Sequence, residues 1–185
     1  FALSVLILSS CGSDETTTDD ASKSDEKTST SENNANCPGE NKIDFVKYDD
    51  AEQVFNQKDV YANFNDMYKS YRVLFLNYDK SLDTDYGTKT GDQQRIVVSI
   101  FNPKDGEFKP GTYTWEGDEN GFNRIIVQVE TADGIKSCNY AGDVDPGYIE
   151  VFDVNEKHIC GIFNVSGKGF GMSGTFDANH EKAGQ

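Results

Sequence analysis

Apolar and polar positions alternate with a period of two along much of the chain. Val73, Phe75 and Asn77 oppose Leu74, Leu76 and Tyr78; Ile96, Val98 and Ile100 oppose Val97, Ser99 and Phe101; Ile125, Val127 and Val129 oppose Ile126, Gln128 and Glu130. Successive strand residues point to opposite faces, so these runs predict β-strands. Several carry apolar groups on both faces, which suits central strands with the core on one side and a loop, helix or partner on the other. Turn signals separate the runs at Asn102–Gly106, Pro110-Gly111, Asp118–Gly121, Asp133-Gly134 and Asp145–Gly147. Their spacing, about ten residues, predicts antiparallel meanders.

The C-terminal third is the most regular. Tyr148–Val154 and His158–Val165 flank a short turn, and Phe170–Ala178 follows Gly167–Gly169. Gly161-Ile162-Phe163 and Gly174-Thr175-Phe176 recur on neighbouring segments. A strand glycine lets an aromatic ring on the next strand approach closely, so the repeat predicts packing. Between Asp49 and Tyr71 the pattern changes. Asp49 or Asp50 is placed to cap a short helix through Phe55, and Phe64, Met67, Tyr68 and Tyr71 recur at helical spacing. The expected fold is therefore all-β, an antiparallel β-sandwich or barrel with one or two short helices; an irregular stretch with one early strand is the alternative for 49–71.

Two segments precede this domain, which is expected over residues 37–185. Phe1–Leu8 reads FALSVLIL, an apolar run of signal-peptide length whose charged start is expected to lie outside the sequence. Nowhere does a run approach the roughly 20 apolar residues needed to span a bilayer. Gly12–Asn36 holds ten Ser or Thr, seven acids, two Lys and no aromatic or large aliphatic residue. It has nothing to bury, so a disordered tether is expected, with an r.m.s. reach of about 25–30 Å.

Leu8, Ser9, Ser10 and Cys11 resemble, position by position, the lipobox of bacterial lipoproteins. The resemblance implies that residues 1–11 are a truncated signal ending at Cys11, whose thiol takes a diacylglycerol and whose freed amine is acylated. Each buried methylene is worth about 0.8 kcal/mol and two chains anchor stably. Ser13, Asp14 and Glu15 resemble the surface-export signal of lipoproteins from the Bacteroidota, and Gly12 is not the Asp of the enteric inner-membrane retention signal. Lipobox, tether and β domain together look like the small surface lipoproteins of that phylum. The likeness implies an outer-membrane, cell-surface location with the lipid membrane as partner, and no reaction.

Charge narrows the partners. With 17 basic and 32 acidic residues the net charge is −15, which excludes a nucleic-acid binder. Removing Cys11 leaves Cys37, Cys138 and Cys160, an odd number in a compartment that permits disulfides. Cys138 with Cys160 is the expected pair, since both lie in the best-patterned region; Cys37 is placed to pin the domain's N-terminal edge to either instead.

Chemical motifs are sparse. His158 and His180 lie on different segments with no C-x-x-C or H-x-x-x-H spacing, so zinc is not expected. No G-x-S-x-G elbow presents a nucleophile. His158 and Cys160 share a strand face, but strand pairing explains them without catalysis. Asp79, Asp83 and Asp85, with Asp143 and Asp145, offer hard oxygens that could take calcium, although neither loop has the EF-hand series and solvated turn acids are the simpler reading. Tyr113 and Trp115 share a strand face and are the first candidates for sugar stacking, with Tyr86 and Tyr140 secondary. The sequence thus suggests a non-enzymatic lipoprotein binding a glycan or envelope protein without a cofactor. The alternatives are an accessory subunit of a surface complex, which would show a broad apolar patch, and more remotely a glycan hydrolase, which would show convergent carboxylates or a His.

Overall fold

The computed structural model describes residues 36–84, 89–101, 108–114, 125–137, 147–167 and 169–181. The strands are β1 (Lys42–Tyr48), β2 (Ala51–Glu52), β3 (Asp59–Asn65), β4 (Ser70–Leu76), β5 (Arg95–Phe101), β6 (Gly111–Thr114), β7 (Ile125–Thr131), β8 (Gly134–Ser137), β9 (Gly147–Val154), β10 (His158–Gly167) and β11 (Phe170–Asn179). They form two antiparallel sheets, a six-stranded one ordered β2-β1-β11-β10-β9-β6 and a five-stranded one ordered β3-β4-β5-β7-β8. The sheets pack face to face as a β-sandwich.

Alternation decides what enters the core. Val73 and Phe75 of β4, Ile96, Val98 and Ile100 of β5, and Ile125, Val127 and Val129 of β7 meet Ile149, Val151, Ile159, Phe163, Met172 and Phe176 of the other sheet. Phe75 and Phe163 stand 6.0 Å apart between ring centres. The repeated Gly-x-Phe acts as expected, for β10 and β11 pair Gly161 with Phe176 and Phe163 with Gly174. A Cβ on Gly161 would stand 2.7 Å from Phe176 Cζ and collide with the Glu150 carbonyl. One on Gly174 would meet the Phe163 ring at 3.0 Å and the Lys42 carbonyl.

The expected helices at 49–71 give way to strands; among the described residues the helical element is a single 3-10 turn, Lys80–Leu82. Asp49 and Asp50 are not helix caps. They form the two-residue loop joining Tyr48 to its partner Ala51, both at positive φ, 52° and 63°, as a type I′ hairpin requires. Phe64 and Tyr71 do meet, but as opposite residues of the β3–β4 hairpin, ring centres 5.1 Å apart. Met67 and Tyr68 sit exposed at its tip, where Asn65 Oδ1 accepts from both their N–H groups. A seven-residue separation is two helical turns, and it is also the span of a cross-strand pair closing over this turn.

The apolar groups on both faces of β4 and β5 have a second cover. Leu74, Leu76 and Val97 point away from the core yet are buried. Residues 77–84 and 89–94 lie against this outer face, where Asp83 reaches both Tyr61 on β3 and Arg95 on β5 and Lys89 reaches Asp83.

Candidate functional site

Among the described residues three places gather polar chemistry, and the first is the outer face just described. Asp83 Oδ1 accepts from Tyr78 Oη at 2.6 Å, Lys89 Nζ at 2.9 Å and Arg95 Nη1 at 2.9 Å. Its Oδ2 accepts from Tyr61 Oη at 2.7 Å. Arg95 also grips Glu130 Oε2 through Nε and Nη2, at 2.8 and 2.5 Å. The Asp83 side chain is 2% exposed. Burial alone would raise its pKa, but hydrogen bonds from Tyr78, Lys89 and Tyr61 and the Arg95 charge outweigh it and hold the carboxyl down to about 2. Tyr78 moves the other way: burial, then its bond to Asp83, pushes the phenol far above its usual range. Two anions and two cations balance, and each group serves another.

This disposes of the calcium reading at its central residue. An ion at Asp83 would face Lys89 and Arg95 across the same carboxylate. Asp79 is engaged as well, accepting from Ser81 N–H and hydroxyl; those bonds hold its carboxyl below the usual range. Asp85, Asp143 and Asp145 lie outside the described residues. Sequence spacing could not show that two cations converge on Asp83, because Arg95 arrives on a strand and Lys89 on a loop.

The stacking candidates fare similarly. Tyr113 is 6% exposed and belongs to the core; it faces inward with Ile149, its partner on β9. Its hydroxyl donates to the Lys109 carbonyl at 2.7 Å, and burial raises its pKa. It is a packing residue, not a sugar platform. Trp115, Tyr86 and Tyr140 lie outside the described residues, as does Cys11.

The second place is a corner on the outer face of the six-stranded sheet. The disulfide joins Cys37 to Cys160, with Cα atoms 5.6 Å apart, and this corrects the expected Cys138–Cys160 pair; Cys138 lies outside the described residues. The cause is topological. β11 lies between β1 and β10, so the chain entering β1 crosses β11 to reach Cys160. Asp177 fixes that crossing: its Oδ2 accepts from Gly39 N–H, its carbonyl from Asn41 Nδ2, and its N–H donates to Asn41 Oδ1. His158 Nε2 stands 2.5 Å from Asp177 Oδ1.

His180 is placed elsewhere, stacked on Tyr71 with ring centres 4.8 Å apart. Burial holds its pKa below the usual range, and among the described residues its Nε2 has no hydrogen-bond partner.

The third place is concave. A cleft of about 240 Å³ opens where the β1–β2 turn, the β7–β8 turn and residues 91–94 before β5 come together. Its walls are fixed. Asn77 takes Gln94 N–H on Oδ1 at 2.7 Å and gives Nδ2 to the Asp92 carbonyl at 2.8 Å. Thr131 Oγ1 accepts from Asp133 N–H and donates to the Gly134 carbonyl, closing the β7–β8 turn. Gln94 Nε2 donates to Tyr48 Oη at 3.2 Å, tying the two sheets across the floor. Lys136 pairs with Asp49 at 2.9 Å on the rim; that bond raises the Lys136 pKa.

The cleft presents one aromatic ring (Tyr48), two side-chain amides (Gln93, Gln94), a hydroxyl, one cation and three carboxylates (Asp49, Asp92, Asp133). The carboxylates sit at exposed turn positions and no histidine lines the space, an arrangement suited to hydrogen bonding rather than to a desolvated general acid. Sequence reasoning missed the cleft because it is assembled from short turns; of its lining the sequence singles out Asp133 as a turn residue and Asp49 as a helix cap, neither as part of a site.

Among the described residues, no helix is long and apolar enough to cross a membrane. No family of proteins, curated protein or solved structure matches the chain.

Proposed function

We propose that the chain is a non-enzymatic, lipid-anchored envelope protein, held by an acylated Cys11 and displayed on the outer membrane's external face. Its β domain takes one unit of a neutral or cationic glycan in the cleft beside Tyr48. The single observation that carries the binding reading is this cleft, polar and braced by Asn77 and Thr131 before any ligand arrives. Pre-fixed walls reduce the ordering cost of association. At about 240 Å³ it is smaller than the roughly 300–1,000 Å³ of sites that enclose drug-sized ligands, so a chain end or single sugar fits better than a whole oligosaccharide. Three carboxylates against one lysine disfavour an anionic partner.

The experiment is a glycan array with the full chain in detergent, followed by titration of any hit against Gln94→Ala and Asp133→Ala. Both variants are expected to weaken binding about tenfold or more, the loss of one or two net hydrogen bonds. An empty array, or hits unaffected by either change, would move the assignment to the accessory-subunit reading. The anchor is tested separately: Cys11→Ser is expected to move the protein from the detergent to the aqueous phase of a phase-partition assay, and unchanged partitioning would refute lipidation.

A further inference from the structure

The Cys37–Cys160 bridge stands beside an imidazole that strand geometry brings to it. His158 and Cys160 are two residues apart on β10 and share its outer face. Asp177 on β11 and Asp153 on β9 stand opposite Cys160. The β9 register shifts by one residue between Cys160 and Gly161, and this brings Asp153 rather than Phe152 level with the sulfur. Both sulfurs and a ring nitrogen of His158 lie within 4.8 Å of one another. Asp153 Oδ2 is 3.8 Å from His158 Nδ1.

Two thiolates and an imidazole are the donors of a zinc site, not of a calcium or magnesium site. Metal-ligating histidines characteristically give their other ring nitrogen to a carboxylate, and Asp177 Oδ1, 2.5 Å from Nε2, would fill that role for an ion held by Nδ1. Cys37 and His158 are both partly exposed, which gives an ion a way in.

We propose that reduction of the Cys37–Cys160 disulfide turns this corner into a zinc site, with Cys37 Sγ, Cys160 Sγ and His158 as protein ligands and Asp153 or water in the fourth position. A phosphine reductant adds two electrons to the S–S bond while water supplies two protons and one oxygen, leaving two thiols and the phosphine oxide. The ion then displaces both thiol protons to solvent and stays divalent. Tetrahedral zinc with bonds of about 2.3 Å holds its sulfurs about 3.8 Å apart, a separation that side-chain rotation reaches from Cα atoms 5.6 Å apart. The approach survives the opening of the bridge, because Gly39 and Asn41 remain bonded to Asp177 and keep Cys37 over β10. Disulfide and metal are thus alternative staples for the same segment.

The test is a titration with cobalt(II), then zinc, of the full chain carrying Cys11→Ser and Cys138→Ser so that no other thiol competes. With the disulfide intact no thiolate-to-cobalt charge-transfer band is expected. After anaerobic phosphine reduction the band and the intense visible bands of tetrahedral cobalt should appear at one ion per chain, and zinc should bleach them. His158→Asn should weaken binding at least tenfold, and Asp177→Asn by about 10- to 100-fold. Absence of the bands after reduction, or bands unchanged by His158→Asn, would overturn the proposal. Circular dichroism in parallel covers loss of structure: if the reduced apo chain loses its sheet signal, zinc must restore it, and failure to do so also overturns the site.

Discussion

Asp83→Asn is the most demanding test of how this fold is held. The substitution keeps the side chain's size and removes its charge at a position 2% exposed. Lys89, 5% exposed, then loses the carboxylate it pairs with, Arg95, 3% exposed, keeps only that of Glu130, and the neutral amide offers a single acceptor oxygen where the carboxylate took four donors. Breaking one side of a buried ion pair costs about 3–5 kcal/mol. Part of that cost has a pH signature. The carboxyl's fall from an ordinary 3.8 to about 2 is worth about 2 kcal/mol. A depressed folded-state value stabilises above the unfolded pKa, and the contribution disappears as pH falls through the folded one. Urea unfolding near neutral pH should therefore show a loss of about 3–5 kcal/mol, and the gap to wild type should narrow by about 2 kcal/mol between about pH 5 and about pH 2. Adding Lys89→Met should recover part of the loss by removing the stranded cation. A deficit under about 1 kcal/mol, or one indifferent to acid, would refute the idea that this carboxylate locks residues 77–84 and Lys89 to the sheet.

Three further outcomes follow from the packing. Gly161→Ala should destabilise by about 3 kcal/mol, the upper range for overpacking, because the Glu150 carbonyl blocks the new methyl along with the Phe176 ring; thermal unfolding measures it. Cys37→Ser should cost about 2–5 kcal/mol for a bridge closing a separation of 123 residues and should leave Cys160, 0% exposed, as a free thiol that alkylates once the chain is unfolded, whereas Cys138→Ser should do neither. Tyr113→Phe should cost about 1 kcal/mol, one hydrogen bond to the Lys109 carbonyl, and leave glycan binding untouched; a loss of binding would restore Tyr113 to the site.

The division between what the sequence disclosed and what it hid follows the range of the interactions. Period-two alternation is local, so β4, β5, β7 and the three C-terminal strands were legible, and so was the reciprocal Gly161–Phe176 and Phe163–Gly174 packing. Burial on both faces of Leu74 and Val97 was legible too, although not the identity of the cover. The misreadings share one cause: a local pattern with two physical realisations, between which only strand order chooses. Phe64 and Tyr71 are two helical turns apart or opposite each other in a hairpin. Asp49 and Asp50 cap a helix or fill a type I′ loop, and Asp83 is a metal ligand or the anion between Lys89 and Arg95. Cys160 pairs with whichever cysteine the topology delivers, and β11 lying between β1 and β10 delivers Cys37 from 123 residues away. The same reasoning explains why the cleft beside Tyr48 left so little trace. Its lining comes from three turns, each individually an ordinary surface loop, and it becomes a concave space only once two sheets bring those turns together. Function in such a fold rests on loops held by rigid strands, so the residues most informative about architecture are the least informative about the ligand.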